Sequence, residues 1–147
     1  MQPSDFPLAW PEGQPRAAAR IKGRFKVGFQ SAYDSLVTEA EKLHDAEDRD
    51  VVVSTAIPLG KRGLPLVALS DRIGDPGACV YLWRGGRPYA LACDTYLDLH
   101  HNLRSLAVTL GALRQIQRHG ATALMERSLA GFARTKPPYR PTGHARI

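Results

Sequence analysis

Long hydrophobic runs are missing from this chain of 147 residues. No stretch approaches the roughly 18 consecutive apolar residues of a membrane-spanning helix, so a membrane partner is not expected. Cysteine is scarce: only Cys79 and Cys93 occur, with no Cys-x-x-Cys spacing, which removes the usual thiolate metal sites. Gly-x-Ser-x-Gly is absent and no cysteine is placed on a strand-to-helix turn, so nucleophilic-triad chemistry is not indicated. Gly60-Lys61-Arg62-Gly63 is too short for a phosphate-binding P-loop and lies in an expected hairpin, not before a helix. Acids are thin toward the C-terminus, where residues 99–147 hold Glu126 alone. The opening MQPSDFPLAWPEG lacks a basic stretch followed by an apolar run, so no secretory leader is read there. The expected compartment is the cytoplasm, with both cysteines as free thiols.

What is present is mostly basic and unevenly spread. The net charge is +6. Arg16, Arg20, Lys22, Arg24 and Lys26 crowd residues 16–26 without an acid among them, and eight basic side chains fall in residues 99–147. Between them lie Asp34, Glu39, Glu41, Asp45, Glu47, Asp48 and Asp50. Two basic arms around an acidic middle suit a polyanionic partner. The same pattern also suits contact between the arms and the acidic segment, in one copy or between two.

Residues 94–120 carry the clearest local signal. Thr95 precedes Asp98 at capping-box spacing, and Leu99, Leu103, Leu106, Leu110 and Leu113 follow as a buried helical stripe. Gly120 stands where a left-handed C-cap residue is wanted, after Arg118 and His119. A first helix is expected from near Ser31, with a Ser31–Asp34 cap-like pair and a Tyr33, Leu36, Val37, Ala40, Leu43 stripe. A short third helix is expected over about residues 121–133. VVVSTAIPL and LPLVALS read as strands joined at GKRG, and ACVYLWR and RPYALACD as a hairpin about Gly85-Gly86. The predicted class is α+β: a four-stranded antiparallel sheet packed by the long helix, in the order α-β-β-β-β-α-α. Residues 1–24, with Pro3, Pro7, Pro11 and Pro15, read as an extended arm; residues 25–134 as one domain; residues 135–147 as a basic flexible tail.

The register of the second hairpin stays open. A three-residue loop pairs Arg84 with Pro88 and sets Cys79 opposite Cys93; a two-residue loop sets Cys79 opposite Ala92. In the first case Tyr81, Trp83, Tyr89 and Leu91 share a face with both cysteines, while Val80, Leu82, Ala90 and Ala92 share the other. An aromatic face of this kind packs a core, serves a protein interface, or stacks bases. His100-His101-Asn102 lies near the start of the long helix, where adjacent histidines diverge by about 100° and do not chelate as an i, i+4 pair does.

Short motifs then occur in a suggestive order: Trp10-Pro11, Arg24-Phe25-Lys26, Asp75-Pro76-Gly77 ahead of Val80-Tyr81-Leu82-Trp83, Cys93-Asp94 with Tyr96, His101-Asn102-Leu103, Arg118-His119-Gly120 and Gly131-Phe132. In these the chain resembles an uncharacterised family of bacterial proteins found in phages, plasmids and integrated elements, over about residues 7–135. Some longer members of that family carry a J-domain-like C-terminal region. The His-Pro-Asp tripeptide through which a J-domain acts is absent here, so co-chaperone activity does not carry over. The resemblance implies a mobile-element context and no catalytic residues.

The leading expectation is a non-enzymatic protein that contacts nucleic acid, or a complex already on it. The phosphate contacts would come from Arg20, Lys22, Arg24, Lys26, Arg114, Arg118, Lys136 and Arg140. A second expectation is an adaptor or inhibitor of a host complex, with Tyr81, Trp83 and Tyr89, or Phe6 and Trp10, as its apolar patch. A third is a metal-dependent nuclease using Asp75, Asp94 and His100, although no Glu-x-Lys follows on a strand. No cofactor is expected.

Overall fold

The computed structural model describes residues 4–61, 65–66 and 74–134. The architecture is α+β, with three helices and three antiparallel strands. In chain order the elements are β1 (Ser4–Asp5), α1 (Phe29–Leu43), β2 (Val52–Thr55), β3 (Ala78–Arg84), β4 (Arg87–Cys93), α2 (Leu99–Arg118) and α3 (Thr122–Ala130). The sheet order is β1-β2-β3-β4. Its fourth strand is therefore not an antiparallel hairpin partner, as the sequence pattern suggested. It is the two-residue β1, which pairs parallel to β2 through Ser4 with Val53 and Asp5 with Ser54. Of the expected strand LPLVALS only Pro65 and Leu66 are described; Pro65 bridges to Leu59, and Leu66 N–H donates to the Pro58 carbonyl at 3.0 Å. The rest of that segment lies outside the described residues.

The β3–β4 hairpin turns in two residues, pairing Arg84 with Arg87 and Cys79 with Ala92. Gly85 and Gly86 have φ of 57° and 78°, the double left-handed geometry of a tight hairpin turn, which a Cβ would strain. This choice of register sorts the side chains. Val80, Leu82, Tyr89 and Leu91 enter the main core with the α1 and α2 stripes. Cys79, Tyr81, Trp83 and Ala90 form a second, smaller core on the opposite face. Of the two registers left open by the sequence, the two-residue one is adopted, so Tyr89 and Leu91 share a face with Cys93 and not with Cys79. Tyr81, Trp83 and Tyr89 are 4%, 6% and 7% exposed, so they form no surface patch.

The second face is apolar because the N-terminal arm covers it. Leu8 and Ala9 pack there with Ala46, Val52 and Ala92. Ala9 N–H donates to Ser54 Oγ at 2.7 Å, the Tyr81 hydroxyl donates to the Ala9 carbonyl, and Gln14 Nε2 donates to the Ala92 carbonyl at 3.2 Å. The arm therefore supplies the layer that lets β3 be buried on both sides.

Helix boundaries follow the apolar stripes more closely than the cap-like pairs. Leu99, Leu103, Leu106, Leu110 and Leu113 are all buried, as are Tyr33, Leu36, Ala40 and Leu43 of α1. Neither Ser31–Asp34 nor Thr95–Asp98 is a capping box. Gly28 caps α1 and Asp98 caps α2, both without a side-chain cap hydrogen bond. The C-terminus of α2 behaves as its sequence suggests: Gly120 has φ 84°, its N–H reaches Gln117 O, and Ala121 N–H reaches Ile116 O, which is a Schellman close. Residues 132–134 then run along the free edge of β4, where Ala90 N–H donates to Phe132 O and Arg134 N–H to Pro88 O.

Candidate functional site

Asp94 anchors the arm as it leaves the sheet. Asp94 is 6% exposed, and its carboxyl accepts Arg16 Nε–H at 2.8 Å, Arg20 Nη2–H at 3.0 Å and the Ala17 N–H. Arg20 Nε–H donates to the Asp94 carbonyl as well. Arg16 also grips Asp75 with both terminal nitrogens and lies 4.3 Å over the Trp10 ring. Burial pushes the Asp94 carboxyl up, but the bonds from Arg16, Ala17 and Arg20 outweigh it and hold it below the usual carboxylate range. The Arg16 hydrogen bond holds Asp75 low against burial. A guanidinium thus joins the two carboxylates that a metal-dependent nuclease would need to converge on an ion.

One residue beyond Arg20 the chain is clamped to the approach of α2. Ile21 N–H donates to Thr95 O at 3.0 Å, and Leu97 N–H donates to Ile21 O at 2.9 Å. Asn102 fixes the other side of that loop. Its Oδ1 accepts from Tyr96 N–H and its Nδ2 donates to Pro76 O and Tyr96 O, so this fully buried amide is satisfied on both ends. Gly23 lies against His101 so closely that a Cβ there would fall 2.4 Å from Nδ1. His101 Nε2–H donates to the Phe25 carbonyl at 3.0 Å.

These contacts build an open groove of about 340 Å³ lined by Ile21, Lys22, Arg24, Phe25 and Tyr96. Phe25 and Tyr96 meet edge to face at 5.7 Å. Lys22 and Arg24 are exposed and make no hydrogen bond or ion pair among the described residues. Ile21 and Leu97 are 59% and 56% exposed beside them. The groove therefore combines two unpaired cations, two aromatic rings and an apolar rim on a hydrogen-bonded frame.

The basic residues singled out from the sequence do not form one surface. Arg20 is spent on Asp94. Arg114 Nε–H donates to Glu39 at 2.8 Å, and Arg104 reaches Ser35 Oγ, so the face of α2 that carries these two arginines is turned to α1 rather than outward. The Arg114 bond holds the Glu39 carboxyl low. Lys22, Arg24, Lys26 and Arg118 are exposed; Lys136 and Arg140 lie outside the described residues. Phe25, Tyr96 and the clamp at Ile21 were not singled out as site residues, because nothing periodic marks an irregular segment. The order Arg24-Phe25-Lys26 was the available signal, a ring between two cations.

No helix of the described chain is long and apolar enough to cross a membrane. No family model, no curated protein and no solved structure matches this chain.

Proposed function

We propose that this chain is a non-enzymatic binding protein for single-stranded nucleic acid, working in the mobile-element setting that its resemblance implies. The carrying observation is the groove in which Lys22 and Arg24 stand beside Phe25 and Tyr96. Single-stranded binders need cations that follow the phosphates and rings on which bases stack, and stacking tolerates any base. Lys26 extends the cationic edge. Arg20 and Arg114 drop out of the phosphate set because Asp94 and Glu39 already neutralise them. Burial of Tyr81, Trp83 and Tyr89 removes one of the two aromatic patches of the adaptor reading, while Phe6 on the arm stays 40% exposed.

The test is fluorescence anisotropy with labelled single-stranded DNA and RNA and a matched duplex at low salt. Saturable binding that favours single strands, and that weakens in Lys22→Ala/Arg24→Ala, is the expected result. Equal binding by that variant would remove the groove from the function.

A further inference from the structure

The first turn of α2 brings two imidazoles and a carboxylate together. Donor atoms of Asp98, His100 and His101 all lie within 4.8 Å of one another. The His101 side chain is 9% exposed. A carbonyl oxygen only accepts, so the hydrogen on Nε2 is the one shared with Phe25 O. In the neutral ring this leaves the lone pair on Nδ1. That nitrogen has no hydrogen-bond partner among the described residues, and the group it meets is Asp98 Oδ2 at 3.6 Å, which is also an acceptor. The buried Nδ1 is left unsatisfied, facing a carboxylate that is itself 51% exposed, and a cation between them resolves it.

The surroundings fit ligation. Although adjacent helix positions diverge by about 100°, these two imidazoles turn toward each other, with ring centroids 4.4 Å apart. A ligating histidine characteristically donates its other ring N–H to a backbone carbonyl, as His101 does. Metal–ligand bonds of about 2.1 Å set neighbouring donors roughly 3.4 Å apart in a tetrahedral site; His101 Nδ1 and Asp98 Oδ2 stand 3.6 Å apart, and the three donors lie within 4.8 Å.

We propose that Asp98, His100 and His101 form a three-ligand site for a divalent transition metal of the zinc class, with a fourth position open to water. Two nitrogens and one oxygen suit zinc, cobalt or nickel rather than magnesium or calcium, which take oxygen sets. The positive end of α2 opposes a cation there, so binding is of moderate strength. Through the His101–Phe25 hydrogen bond the ion would tie the arm to α2. The site stands independently of nucleic-acid binding.

The experiment titrates the full chain, stripped with chelator, with Co²⁺ followed by its visible absorption and with Zn²⁺ followed by calorimetry. The expected result is one ion per chain, unchanged affinity in Cys79→Ser/Cys93→Ser, and affinity lower by about tenfold or more in Asp98→Asn and in His100→Ala. Both of these side chains are solvent-accessible, and circular dichroism checks that the variants stay folded. Absence of saturable binding would overturn the site. Equal affinity in wild type and in Asp98→Asn would overturn it as well.

Discussion

Arg16 Nε–H donates to Asp94 Oδ2 at 2.8 Å, across 78 residues of sequence. This contact fastens an arm with no regular secondary structure between residues 6 and 20 to the end of the last strand. Asp94 is buried while Arg16 and Arg20 are partly exposed, 37% and 27% by side chain. Asp94→Ala removes the carboxylate from both guanidiniums, leaving Arg16 with Asp75 and Arg20 with the backbone carbonyl of residue 94. Solvent screening of the arginines trims the usual cost of breaking a buried pair, and a loss of about 2–3 kcal/mol is expected in urea unfolding. A double-mutant cycle of Arg16→Ala with Asp94→Ala should give a coupling above about 0.5 kcal/mol, since the residues touch.

Acid should weaken the fold through three carboxylates. Asp75, Asp94 and Glu39 are held below their ordinary values by Arg16, by Arg16 with Ala17 and Arg20, and by Arg114. The unfolded chain takes up their protons first as pH drops. Their contribution is thus fully present above the ordinary carboxylate range and is lost as pH falls from about 4 through the lowered folded values. Urea midpoints between pH 7 and pH 2 check this. A flatter acid limb is expected for Asp94→Asn, relative to its own lower plateau.

The two thiols should behave differently. The two-residue hairpin sets Cys79 opposite Ala92 and points Cys79 and Cys93 to opposite faces. Cys79 is fully buried under the arm, whereas Cys93 is half-buried. No intramolecular disulfide is expected under oxidation. Timed labelling with a thiol reagent should modify Cys93 first and Cys79 only on unfolding or arm release. Equal rates would mean that the arm does not cover the second face.

Tyr81 tests the arm more gently. Its hydroxyl donates to the Ala9 carbonyl, so Tyr81→Phe keeps the buried ring and leaves that carbonyl without this donor. A cost of about 1–2 kcal/mol is expected, together with faster labelling of Cys79. Leu103→Ala, in the fully buried stripe of α2, should cost roughly 2–5 kcal/mol and leave the ratio of thiol rates unchanged.

The stripes of α1 and α2, the left-handed Gly120 and the hairpin about Gly85-Gly86 were legible in the sequence because each is a local consequence of periodicity or backbone freedom. The start of α2 was misread: Thr95 and Asp98 have capping-box spacing, but Thr95 O is taken by Ile21 and the helix opens at Leu99. The hairpin register turned on a single residue of loop length, and only packing on both faces decides it. Arm docking was invisible because Leu8, Trp10 and Arg16 act through partners dozens of residues away. The same distance hid the pairing of Arg20 and Arg114, which counted as free positive charge in the sequence and are neutralised in the fold. Phe25 and Tyr96 become one site only when the Ile21 clamp aligns their segments.

Nucleic-acid affinity as a function of salt tests the central claim most directly. With Lys22, Arg24 and Lys26 on the phosphates, log affinity for a single strand should fall against log salt with a slope of about −2, and Lys22→Ala/Arg24→Ala should make it shallower by about 1.4. Tyr96→Ala should lower affinity by about 1–3 kcal/mol while leaving the slope unchanged, as expected for a lost stacking ring. Absence of binding at low salt, or a slope unaffected by the loss of Lys22 and Arg24, would contradict single-strand recognition by this groove.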